Sequence, residues 1–288
     1  MSKTTKIKHD LEDVDALLEI FQILKDVASN NFYSAARRKA RLEEFALAFV
    51  EFFRMVSLAK CTSPLVHPAV EEVGLVPITS EGGFMGDMTA KVIKQTIEET
   101  HRHKVSEIIA VGGKGGAKIK SLIGKKYEIT IFADIEEKGL FRSTLDAKAH
   151  IIDQVKKNKF GRVYAIFPKA KTINLIKPAV VKLLPSEELL TKQKEIKDTL
   201  EKVILESHTD DIMEYLAEMW LTCRVFELLE DCVIAGYAAQ SQQLESGLEK
   251  LKKDRKGLVL AFGKSKKSDI DKALREVFTA SLMTGGGK

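Results

Sequence analysis

Apolar residues recur at alternating three- and four-residue intervals from Leu11 onward: Leu11, Val14, Leu18, Phe21, Ala28, Phe32, Ala35, Leu42, Ala46, Phe49, Phe53 and Val56, with Lys25 and Lys39 filling the remaining places of the series. A seam this narrow and sustained predicts a coiled-coil helix rather than the broad face of a globular one. At about 1.5 Å per residue the helix reaches roughly 70 Å and needs a long partner. The C-terminal segment offers one. Ile212, Leu216, Met219, Cys223, Phe226, Val233 and Tyr237 form a seam interrupted by Glu230. Leu244, Leu248, Leu251, Leu258 and Phe262 form a second, out of phase with the first across the polar stretch 240–243, and such a shift changes the local winding of a supercoil. Gly236 and Gly247 lie near one face and predict the close approach of another backbone. A continuous helix from about Asp210 to Leu282 extends roughly 110 Å, so its far end outruns the first arm.

Between the arms the pattern shortens. Strands are predicted at Val73–Thr79, Glu107–Val111, Tyr127–Phe132 and Arg162–Phe167, and helices at about Asp87–His103, Ala117–Ile123 and Ser143–Lys157. This alternation favours a mostly parallel α/β sheet. All six prolines fall between Pro64 and Pro185, and no glycine precedes Gly74. Because proline breaks helix interiors and glycine weakens them, the division expected is an N-terminal coiled-coil helix over 1–63, a central Rossmann-like α/β domain over 64–200, and a C-terminal coiled-coil helix with a frayed tail over 201–288. The fold class is α/β, with a long antiparallel coiled coil.

Composition narrows the chemistry. The chain has 288 residues with 46 Lys and Arg against 41 Asp and Glu, a mild net charge of +5. That excess neither requires nor excludes an anionic partner, and it is unevenly placed: Asp10, Glu12, Asp13, Asp15, Glu19 and Asp26 make an acidic zone. Arg37, Arg38, Lys39 and Arg41 are basic, as are Lys250, Lys252, Lys253, Arg255, Lys256, Lys264, Lys266 and Lys267. Such runs are ordinarily solvated helix faces, or else contacts to an acidic partner. Aromatic residues do not interleave with them, which argues against nucleic acid. Cys61, Cys223 and Cys232 have no paired spacing, as expected of a reducing compartment. No apolar run approaches a membrane span, and the first residues have no apolar core of a secretory signal.

Val111-Gly-Gly-Lys-Gly-Gly116 follows a predicted strand and suggests a phosphate loop, yet five residues after Gly112 comes Ala117, and the dinucleotide spacing ends on Lys118. It reads as a tight strand-to-helix turn, with anion binding as the alternative. His101 and His103 point to different helix faces and do not make a metal pair. No catalytic constellation, cofactor site or metal site is expected.

Residues 75–86, 107–115, 162–167 with 182–185, and 260–270 each follow a pattern that resembles the γ subunit of F-type ATP synthases. Leu75-Val-Pro-Ile-Thr-Ser-Glu-Gly-Gly-Phe-Met-Gly86 is similar to that family's "VVVTSDRGLCGGLN", and Glu107-Ile-Ile-Ala-Val-Gly-Gly-Lys-Gly115 to "AIGRKG". Arg162-Val-Tyr-Ala-Ile-Phe167 with Lys182-Leu-Leu-Pro185 resembles "RVYLVYN…QLLP", and Leu260-Ala-Phe-Gly-Lys-Ser-Lys-Lys-Ser-Asp-Ile270 resembles "LAYNKARQAAI". Departures are pronounced: Asp10, Glu12 and Glu19 stand where the family usually has basic residues, and its Arg-Gln pair becomes Lys266-Lys267, losing the planar guanidinium.

The resemblance implies a non-catalytic rotor shaft without a cofactor, coupling an ion-driven membrane ring to ATP synthesis or hydrolysis on β subunits. Its implied partners are the α and β subunits of the catalytic ring, an ε-type subunit and, through the complex, the membrane rotor ring. The implied location is the cytoplasmic face of the cell membrane, as a peripheral subunit. Lys264, Lys266, Lys267, Arg37, Arg38 and Arg41 become candidate electrostatic contacts, and Val277, Phe278, Leu282 and Met283 a candidate apolar bearing. Two alternatives stand beside it: a coiled-coil adaptor carrying a small anion- or nucleotide-binding domain, and a γ-like shaft in an ATPase that does not make ATP.

Overall fold

The structure, a computed structural model, describes residues 3–54, 63–133, 139–185 and 209–284, the side chains of 41–54, 209, 210, 213 and 282–284 excepted. Its elements are α1 (Lys3–Arg54), β1 (Val73–Pro77), α2 (Met88–Arg102), β2 (Val105–Val111), α3 (Gly113–Ile123), β3 (Glu128–Phe132), α4 (Leu140–Lys156), β4 (Arg162–Thr172), β5 (Leu175–Leu184) and α5 (Thr209–Thr284). The chain divides into two compact units: Met1–Val27 with Ser241–Lys288, and Ala28–Gln240.

In the first unit α1 and α5 run antiparallel, because rising positions on one meet falling positions on the other. Thr4 donates to Asp269, Asp15 receives Arg255, and Lys25 pairs with Glu245. Leu11, Val14, Leu18 and Phe21 are the less exposed positions of this stretch, and Leu244 and Leu248 are buried. The seam expected from the sequence is therefore the seam used. Gly247 admits a side chain rather than a backbone: a Cβ there would lie 2.5 Å from Cε1 of Phe21, so the phenyl ring sits where any larger residue would collide.

The second unit is built on a five-stranded sheet in the order β3-β2-β1-β4-β5. Strands β1 to β4 are parallel, and β5 is antiparallel to β4. Period-two alternation divides the strand side chains between two cores. Val76, Ile78, Ile109, Val111, Val163, Ala165 and Phe167 face α4 and the α5 stretch from Leu216 to Cys232, while Val73, Leu75, Ile108 and Ile166 pack with Val92 and Ile93 of α2 and Ile119 of α3.

Strand β5 was not expected, since Lys177, Pro178 and Lys182 break its apolar run. Its place explains the tolerance. Pro178 sits on an edge strand opposite Pro168, and Pro168 lies past Ile166, the last β4 residue paired with β1, so neither missing N–H is needed by a central ladder. Helix α5 also departs from its expected seam. Cys223, Phe226, Val233 and Tyr237 are only half-buried, whereas Ala217, Leu221, Val225, Leu228 and Cys232 on the adjoining face are sealed against the sheet. The longer seam faces a domain as well as a helix, and that broader contact is invisible to a heptad count.

Candidate functional site

Two polar interruptions of the seams turn out to be paired. Lys39 on α1 is 8% exposed and donates to Asp231 Oδ1 at 2.7 Å, with Glu227 Oε1 at 3.7 Å. Beside it Arg38 Nε lies 3.4 Å from Oε1 of Glu230, itself 3% exposed. Burial pushes the Asp231 carboxyl above its usual range even though the Lys39 ammonium pulls the other way. Next to this cluster Phe32, Ala35, Ile234 and Ala238 pack with Ala170, Ile173 and Ile176 of the β4–β5 hairpin. Arg37, by contrast, is exposed, and its Nε donates to the Tyr33 carbonyl at 3.3 Å.

Lys264, Lys266 and Lys267 lie on exposed α5 in the other unit, with no described residue within ion-pair distance. Val277 and Phe278 are each 67% exposed, and Leu274 and Ile270 are 52% and 51% exposed. The side chains of Arg41, Leu282 and Met283 lie outside the described residues. Arg255 holds the Asp15 carboxyl below its usual range through its hydrogen bond and charge.

The glycine turn closes on itself. Gly112 adopts φ +114°, and a Cβ there would overlap the carbonyl oxygen of Thr79. Helix α3 starts inside the glycine run at Gly113, earlier than the sequence suggested. Its first amide, Gly113 N–H, donates to the carboxylate of Glu81, and Lys114 Nζ donates to the Glu81 carbonyl at 2.8 Å. In α/β sheets this is the crevice where ligands bind, at the carboxyl ends of the strands. Here the chain's own carboxylate occupies the amide that an anion would seek. Gly112→Ala should cost about 1–3 kcal/mol from backbone strain, before the overlap with Thr79 adds to it. Denaturant unfolding followed by the fluorescence of Trp220, the single tryptophan, checks this.

One polar cluster left no sequence signal. Glu107 on β2 is fully buried and receives Thr130 Oγ1 at 2.6 Å, His150 Nε2 at 2.8 Å and Lys159 Nζ at 3.0 Å. Burial pushes this carboxyl upward, but these donors outweigh burial and hold it below its usual range. His103 is half-buried, stacked on Tyr164 and 3.3 Å from Glu99. Among the described residues no group of His, Cys, Asp and Glu is arranged to hold a metal, and no helix is long and apolar enough to cross a membrane.

The family model described as ATP synthase matches residues 3–281. An ATP synthase gamma chain of Syntrophus aciditrophicus is 23% identical over 287 residues, covering 96% of this chain and 97% of the relative. The gamma chain of Roseiflexus sp. (strain RS-1) is 18% identical with the same coverage. Among solved structures, a chain of the Euglena gracilis mitochondrial ATP synthase, OSCP/F1/c-ring, superposes with a TM-score of 0.66 at 19% identity, covering 99% of this chain and 96% of that one. A chain of the Tetrahymena thermophila mitochondrial ATP synthase central stalk and c-ring gives 0.58 at 17% identity, covering 79% and 99%. With a match running almost from end to end, the chain belongs to the ATP synthase family, and the curated relatives it spans are gamma chains.

Proposed function

We propose that this chain is the central rotor shaft of an F-type ATP synthase, and the observation that carries the reading is the family match over residues 3–281. The shaft makes and breaks no bonds. Its antiparallel helix pair is chemically uneven, acidic along Asp10 to Asp26 and basic along Lys250 to Lys267, so each rotational position presents a different face to each surrounding subunit. A β subunit that meets a basic face in one conformation and an apolar one in another is biased between states by the difference in contact energy, which is how rotation and nucleotide affinity are linked.

The partners are the α and β subunits of the ring, an ε-type subunit and, through the complex, the membrane rotor ring. The location follows: the peripheral sector of a membrane-attached complex, on the cytoplasmic face of the cell membrane. Lys264, Lys266 and Lys267, with Arg37, Arg38 and Arg41, are the charged contacts of this reading. Val277, Phe278, Leu282 and Met283 are its apolar bearing. The anion-module alternative is disfavoured by Glu81, which already fills the amide at the glycine turn.

Co-expression with the α- and β-type subunits of its own organism should yield a stable complex with ATPase activity, and failure to recover one would sink the shaft reading. In that complex Lys266→Glu with Lys267→Glu should lower turnover by roughly two- to tenfold at low salt. Unchanged turnover removes the pair from the mechanism.

A further inference from the structure

Helix α1 is apolar on two faces. Leu11, Val14, Leu18 and Phe21 face α5, half-buried. Leu17, Ile20, Ile23, Leu24 and Val27 are exposed by 42–56%. At 3.6 residues per turn these five fall within about 120° of arc, roughly opposite the paired face. Exposed apolar side chains scattered singly are ordinary, whereas a continuous stripe marks an interaction surface.

The rim of the stripe has one sign. Asp10 borders one side, Glu12, Glu19 and Asp26 the other, and Asp13 lies within it, all exposed. No lysine or arginine occurs from residue 10 to residue 24, and Lys25 is drawn into the seam by Glu245. Lys8 reaches Glu12 at 3.6 Å, His9 reaches Asp13 at 3.3 Å, and Gln22 donates to Asp26 at 3.0 Å. No described residue pairs with Asp10 or Glu19.

We propose that this stripe docks an apolar segment rimmed by lysine or arginine, carried by a ring subunit. The proposal rests on the shaft reading and specifies the partner's chemistry. An acidic loop of the kind that would suit Lys266 and Lys267 would be repelled here, as would an anionic lipid surface. The outward face of α1 therefore selects a partner opposite in charge to the one its resemblance implies, and the departures at Asp10, Glu12 and Glu19 need matching basic residues across the interface.

The test uses the full chain assembled with its α- and β-type subunits. A photo-crosslinking p-benzoylphenylalanine at Ile20 should join a ring-subunit peptide in which lysine or arginine flanks apolar residues, while the same group at Lys253 should not join that peptide. Asp10→Lys with Glu12→Lys and Glu19→Lys should weaken assembly about tenfold at low salt, less at high salt, with helix content unchanged. Reversing the basic residues of the crosslinked peptide should restore it. Crosslinking to an acidic segment or to a second copy of this chain overturns the proposal, as does a silent Ile20 in an assembled complex or an assembly indifferent to the reversal. Failure of the unaltered chain to assemble overturns the shaft reading and this proposal together.

Discussion

Lys39→Ala should lower the stability of the Ala28–Gln240 unit by about 3–5 kcal/mol, because it strands the buried Asp231 carboxylate without the ammonium bonded to it. Asp231 is 6% exposed, and Lys39 is the cation that reaches it, at 2.7 Å. Ordinary core truncations of this size act by leaving a void, whereas here the dominant cost is an uncompensated charge. The raised position of Asp231 on the pH scale shows that burial already works against its charged form with Lys39 in place. A joint replacement, Lys39→Met with Asp231→Leu, should accordingly stay within about 1 kcal/mol of the unaltered chain or exceed it. Denaturant unfolding followed at Trp220, which packs in the core between α5 and the sheet, reads both variants. Equal midpoints for Lys39→Ala and the unaltered chain would rule out the stranded-charge argument.

Glu107→Gln should destabilise the same unit by about 3 kcal/mol at neutral pH, since a fully buried carboxylate loses its charge while three donors remain aimed at it. The pH dependence carries the sign. Folding holds this carboxyl below its unfolded range, so its contribution is complete above that range and is lost as pH falls through the folded value. The gap between the unaltered chain and Glu107→Gln should therefore be widest near neutrality and close on acidification. A gap independent of pH would mean that shape rather than charge is what Glu107 supplies.

The arms were legible because a three-four spacing repeated over many turns leaves few alternatives, and each seam position from Leu11 to Lys39 is less exposed than most of its neighbours. The parallel strands were legible as short apolar runs between helical segments, because a strand covered on both faces is apolar throughout. Lys39 and Glu230 were visible as exceptions but not as parts of one polar cluster, because the sequence does not fix how one arm is rotated against the other. Glu107 was invisible: its donors lie 23, 43 and 52 positions away, a spacing that only the closed sheet brings together. Strand β5 was hidden by a proline and two lysines that an edge can carry. The exposed stripe on α1 escaped notice because a seam search keeps one phase and discards the rest.

Glu81 follows β1 by only a few residues, so its carboxylate is tethered within reach of the α3 amide. A short tether gives such a group an effective local concentration on the order of millimolar or more. A soluble phosphate must outcompete that resident at every encounter, with no gain in contacts to favour it. A shaft turning among subunits that handle nucleotide is thereby insulated from the metabolite surrounding it. Its α/β domain should accordingly hold the same shape with or without soluble phosphate.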